Sequence, residues 1–147
     1  MTTIAEDFRT FVLDSPDIAT LVGQRMHQHR IPDESRSTFP HVWYRKSPHS
    51  DTPELDGTTG VLLETTFDVE VLTDDPDELD TLTDLMRTRL NGYPPANGQP
   101  GAFGSRPVRG VFAEDHDEDY VPFNLSDDEG TLVSSFQVLV IHAPLGD

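Results

Sequence analysis

Apolar positions along this chain repeat with two alternating periods, and the alternation maps its elements. Thr3-Ile4-Ala5-Glu6 fits a capping box, in which Thr3 accepts from the Glu6 amide and Glu6 reaches back. Ile4, Phe8, Phe11 and Val12 then follow at helical spacing, predicting a helix that ends near Leu13. Ser15-Pro16 opens a second, shorter helix with Ile18, Leu21 and Val22 on its apolar face and Gly23 to stop it. The period then drops to two. Arg25 to Arg30 and Phe39 to Lys46 read as strands, and Val61 to Leu72 alternates cleanly. Thr65, Phe67, Val69 and Val71 lie on one face there, with Glu64, Thr66, Asp68 and Glu70 on the other.

The helical period returns once. Asp74-Asp75-Pro76-Asp77-Glu78 combines an N-cap acid, proline in the first turn and carboxylates at the positive end of the dipole. Leu79, Leu82, Leu85, Met86 and Leu90 line one face, Arg87 and Arg89 occupy the last turn, and Asn91-Gly92 ends the helix. Two strands follow, Val108 to Ala113 and Leu132 to His142. The last is apolar on both faces: Phe136, Val138 and Val140 supply the core, so Val133, Leu139 and Ile141 need a second cover. That cover is expected from another subunit or from the N-terminal helix. The order helix, helix, strand, strand, strand, helix, strand, strand predicts one α+β domain over residues 1–147. Its sheet is expected to be mostly antiparallel, of about four to five strands, with two to three helices packed on one face. Ser47 to Thr59 and the Gly/Pro-rich stretch Tyr93 to Pro107 are expected to be long loops, the usual carriers of function.

Charge changes the picture more than composition does. The 147 residues carry 27 acids against ten bases, a formal charge of −17. Eighteen of the acids are Asp, nine of the bases are Arg, and Lys46 is the single lysine. A carboxylate-rich, lysine-poor surface suits molar salt, where screening shortens to about 3 Å and like charges tolerate one another. Wrapping nucleic acid in a basic groove is excluded by this balance. No apolar run reaches the ~18 residues of a membrane span, no secretory leader pattern opens the chain, and there is no cysteine.

Candidate chemistry is sparse. His27 and His29 would share a strand face with His41 nearby, a set that with an acid could hold zinc, but no H-E-x-x-H accompanies it. Glu114 to Asp119 and Asp127-Asp128-Glu129 resemble cation loops without the glycine and twelfth-position glutamate those loops require, and read as a solvated acidic hairpin end. No G-x-S-x-G elbow and no phosphate-cradling glycine turn is present. The pattern points to no enzyme and no cofactor.

The order of landmarks resembles the tail-completion and tail-terminator proteins of long-tailed viruses. The residues that carry the likeness are the N-terminal helix, Leu21-Val22-Gly23-Gln24-Arg25-Met26, Pro32, Phe39-Pro40-His41-Val42-Trp43-Tyr44, Phe67-Asp68-Val69-Glu70-Val71, Leu90-Asn91-Gly92, Tyr120 and Ser135-Phe136-Gln137-Val138. The resemblance implies a ring, usually of six subunits, at the head-proximal end of the tail tube. Such a ring stops tube polymerisation and joins the tail to the head-side connector, and DNA passes through it without specific binding. It implies a virion location, in the tail or neck, after assembly in the host cytoplasm. A head-closure stopper of the same neck is the alternative, and a small His/Asp metal protein or enzyme a more distant one. On the ring reading, Val133, Leu139 and Ile141 are candidates for subunit contacts. Asp115, Asp117, Glu118, Asp119, Asp127, Asp128 and Glu129 are candidates for a phosphate-repelling lumen. Tyr93, Phe103, Arg106, His49 and Leu55 are candidates for loops that dock on the tube or connector.

Overall fold

The computed structural model describes residues 3–28, 39–47, 52–55, 61–95, 101–122 and 130–143. Among these, three helices, α1 (Ile4–Leu13), α2 (Pro16–Val22) and α3 (Pro76–Leu90), pack on one sheet. The strands are β1 (Met26–Gln28), β2 (His41–Lys46), β3 (Thr52–Leu55), β4 (Val61–Thr73), β5 (Gly101–Phe103), β6 (Arg106–Pro122) and β7 (Gly130–His142).

The helix starts follow their sequence chemistry. Thr3 and Glu6 make both bonds of the capping box, at 3.1 and 3.3 Å. Asp75 caps α3 by accepting from the Asp77 amide at 3.0 Å, and Pro76 opens the first turn. Thr73 adds a brace, donating to Glu78 at 2.6 Å.

The sheet runs β1-β2-β4-β7-β6-β5, and β3 also pairs with β4. It is mixed: β1 lies parallel to β2, and the other pairings are antiparallel. Seven strands replace the four to five expected, because each predicted long loop contains a short strand that pairs with a longer neighbour. β3 lies on β4 within the first, and β5 makes a hairpin with the start of β6 within the second. β6 is also far longer than Val108 to Ala113. Its backbone stays paired with β7 through the acidic segment, with register shifts at Val108/Gly110 and Glu114/Asp117. Asp117, Glu118 and Asp119 are therefore part of a ladder rather than a loop at its tip, and Asp115 lies at the register shift before them.

The core lies between the helices and the inward sheet face. Phe8 of α1 stacks on Phe67 with ring centroids 4.3 Å apart and tilts against Tyr44 and Phe103. Leu79, Leu82, Met86 and Leu90 of α3 are buried with Val69, Val71, Val111, Phe136, Val138 and Val140. Strand parity explains the division: on β4 and β7 the odd-numbered and even-numbered inward residues, respectively, are buried, while the alternate residues are only half covered. All the packing of α1 onto the sheet is on that inward face, so α1 does not cover Val133, Leu139 or Ile141.

Candidate functional site

The outward face of the sheet has no helix over it among the described residues, and its side chains fall into cross-strand rows set by the register. Glu64, Ile141 and Gly110 form the first row, and Thr66, Leu139 and Phe112 the second. Arg45, Asp68, Gln137 and Glu114 form the third, and Trp43, Glu70, Ser135 and Asp117 the fourth. His41, Leu72, Val133 and Asp119 make a fifth. The face thus carries a largely apolar end beside Glu64, a polar middle, and a fifth row in which Leu72 and Val133 lie between His41 and Asp119.

At the apolar end Phe112 is the one large hydrophobic side chain that is exposed among the described residues, at 48%. Its ring lies over Gly110: a Cβ there would stand 3.2 Å from Phe112 Cε2 and 3.9 Å from Ile141 Cδ1. The absence of a side chain at Gly110 is what lets the ring lie down beside Ile141 and Leu139.

The polar middle is an open groove of about 410 Å³ lined by Trp43, Arg45, Asp68, Glu70, Asp117, Ser135 and Gln137. Arg45 donates from Nε to Asp68 Oδ2 at 3.2 Å and sits 5.5 Å from the Trp43 ring centroid, and Gln137 donates to Asp68 Oδ1 at 3.0 Å. Partial burial pushes the Glu70 carboxyl above the usual carboxylate range; Arg45 opposes this and Asp68 adds to it.

The sequence candidates distribute unevenly over this geometry. Leu139 and Ile141 join the apolar end, but Ser135 and Gln137 separate them from Val133, so the three do not form one patch. Asp117 is exposed at the groove. Glu118 and Asp119 of β6 pair with Ser134 and Val133, Asp115 falls at the register shift between Glu114 and Asp117, and Asp127, Asp128, Glu129 and His49 lie outside the described residues. Leu55 ends β3, paired with Val61.

Tyr93, Phe103 and Arg106 are not on a docking loop. Phe103 is 0% exposed and packs on Phe11 and Tyr93, with centroids 4.5 and 6.1 Å away. Tyr93 is half-buried, its hydroxyl accepting from the Ala102 amide and donating to the Ala102 carbonyl, both at 3.0 Å. Arg106 is buried and ion-paired to Asp7 at 2.7 Å. A glycine- and proline-rich composition conceals these inward anchors, because one side chain every few residues suffices to seat a hairpin.

His27 and His41 stand on adjacent strands, His27 opposite Trp43 and His41 two positions earlier. His41 is buried with its ring 5.2 Å from Phe39, and His29 lies outside the described residues. No group of three or more metal-ligating side chains occurs among the described residues. The groove and Phe112 are what the sequence reading missed. Trp43 stands in a polar row and Phe112 beside Leu139, and only register shows which neighbours they have.

No family model matches the sequence, and no curated protein matches it. Solved structures do. One similar chain belongs to the virion of the native gene transfer agent particle, with a TM-score of 0.58 and 13% identity over 97% of this chain and 100% of that one. From end to end, the chain shares its fold with a component of a virion particle.

Proposed function

We propose that this protein is a structural virion component that forms a ring at the head-proximal end of a tail tube, ending tube growth and joining the tail to the head connector. The observation that carries the reading is the fold shared over nearly all of both chains with a virion component. The order of sequence landmarks supports the terminator or completion role in particular. The outward face, with no helix over it among the described residues and with Phe112, Leu139 and Ile141 half-covered or exposed, suits a subunit that finishes its packing against other subunits. On this reading no bond chemistry is required, the tube protein and the connector or stopper are the partners, and DNA passes without specific contact. Carboxylates of the 115–119 and 127–129 segments would repel phosphates if they face the lumen.

Each copy carries −17, so a ring gathers large like charge and needs screening to hold. The protein would assemble in the cytoplasm of a host with a salt-rich interior. Light scattering behind a sizing column, with negative-stain images of the main peak, tests this from ~3 M down to ~0.1 M salt. The expected result is a ring near six times 16.4 kDa at high salt that dissociates as salt falls. A ring that persists unchanged in dilute buffer removes the salt argument. A monomer at every salt, with or without tail tubes added, overturns the ring.

A further inference from the structure

The two residues that end α3 are also bonded to the edge of β6. β5 pairs with β6 from Arg106 to Val108. Further along the same strand the Gly92 amide donates to the Val111 carbonyl at 2.8 Å, and the Ala113 amide donates to Asn91 Oδ1 at 3.0 Å. A backbone amide can only donate, so this second bond fixes which way the Asn91 carboxamide points. Gly92 holds a φ of +82°, a conformation that side chains disfavour. Asn91 itself is exposed. An asparagine followed by glycine is chemically labile, because no side chain shields the glycine nitrogen from the carboxamide carbon before it.

We infer that Asn91 is a site of spontaneous deamidation that the junction between α3 and β6 holds closed. In the reaction the Gly92 nitrogen gives up its proton and attacks Asn91 Cγ. The Cγ–Nδ2 bond breaks, ammonia leaves with that proton, and a succinimide ring is closed. Water then adds to one of the two imide carbonyls and opens the ring. Addition at Cγ gives aspartate at this position, and addition at the main-chain carbon gives isoaspartate. Water is the single co-reactant, and nothing is oxidised or reduced. Both hydrogen bonds of the junction oppose the first step. The Val111 carbonyl holds the proton that Gly92 must lose, and the Ala113 amide holds the carboxamide that must swing onto the Gly92 nitrogen. Reaction therefore requires a local opening that breaks both bonds. Amide loss at Asn91 then marks the chains whose junction has opened, and it adds one more negative charge to a chain that already carries −17.

The chain carries its own reference for the test. Trypsin does not cut Arg106 before Pro107, so the peptide Leu90–Arg109 contains Asn91-Gly92 together with Asn97-Gly98, a pair that lies outside the described residues. The whole protein is aged at neutral pH, both native and in guanidinium chloride, and fragment-ion mass spectrometry of that peptide follows amide loss at each asparagine. In denaturant the two asparagines should react at similar rates. In the native protein Asn91 should react at least about tenfold more slowly than in denaturant, because only opened molecules react. Ala113→Pro removes the amide that holds the carboxamide, at a backbone position whose N–H points away from β7. If circular dichroism shows this variant folded, its Asn91 should react faster than that of the native wild type. An Asn91 that reacts as fast in the native wild type as in denaturant, or that does not react in denaturant, overturns the inference. A folded Ala113→Pro chain whose Asn91 stays as slow as in the wild type overturns it as well.

Discussion

Arg106 and Asp7 lie 99 positions apart in sequence and meet at 2.7 Å between Nε and Oδ2, both side chains almost wholly out of solvent. Arg106 also donates from Nη1 to the Ala143 carbonyl at 3.3 Å. One guanidinium therefore ties α1, the first residue of β6 and the end of β7 together. Beside it His142 is held from both ring nitrogens, by the Ala143 carbonyl and the Thr65 hydroxyl, each at 2.7 Å.

Removing one partner of a buried pair leaves the other charge uncompensated. Asp7→Ala should cost about 3–5 kcal/mol in urea unfolding. Asp7→Leu combined with Arg106→Met should recover most of that, because the desolvation penalty disappears with the pair. A loss below ~1 kcal/mol for the single variant would mean that water reaches Arg106.

Phe103 separates a seated hairpin from a free loop. With its ring fully buried between Phe8, Phe11 and Tyr93, Phe103→Ala should cost about 3–5 kcal/mol. A mobile surface residue would cost no more than ~0.5 kcal/mol. The urea midpoint of the variant distinguishes the two.

Arg89 donates to the Phe11 carbonyl at 2.8 Å and lies 4.1 Å over the centroid of the Phe11 ring. It serves the C-terminal turn of α1, where helix carbonyls lack amide partners. Arg89→Ala should cost about 1–2 kcal/mol. The loss should be nearly the same at ~0.1 M and ~1 M salt, since no counter-charge is screened. Paired unfolding curves at the two salts measure it.

Glu70 makes the folded chain's stability depend on pH. Its folded-state carboxyl titrates above the ordinary 4.5, so ionisation costs stability as pH rises from about that value through the folded one. In the isolated chain Glu70→Gln should therefore raise the melting temperature at pH 7, with the gain fading below about pH 4.5. Melting curves across pH 4 to 8 (on the order of the carboxylate range) measure the effect.

What was legible in the sequence follows from locality. The capping box of α1, the acid-Pro start of α3 and the alternation of β4 depend on residues within one turn or one strand of each other, and the structure has all three. β3 and β5 were not legible. A strand of three or four residues has too few alternations to show a period, and pairing with β4 or β6 is what makes it a strand. β6 was read too short for a related reason. The acids after Ala113 have no apolar face to advertise, and the β7 ladder alone carries the strand onward.

The candidate site divides along the same line. The sequence by itself determined that β7 is apolar on both faces, that the surface is acidic, and that one helix-covered side could not use all the apolar residues. Each is a property of composition or of period-two alternation, which survives without knowing any neighbour. Only the tertiary structure decided that Leu139 and Ile141 stand apart from Val133, that Phe112 lies over Gly110, and that Phe103 and Arg106 point inward. Those facts come from strand register and from pairs as distant as Asp7 and Arg106. The energy of such contacts is paid by chain segments that no local window contains together.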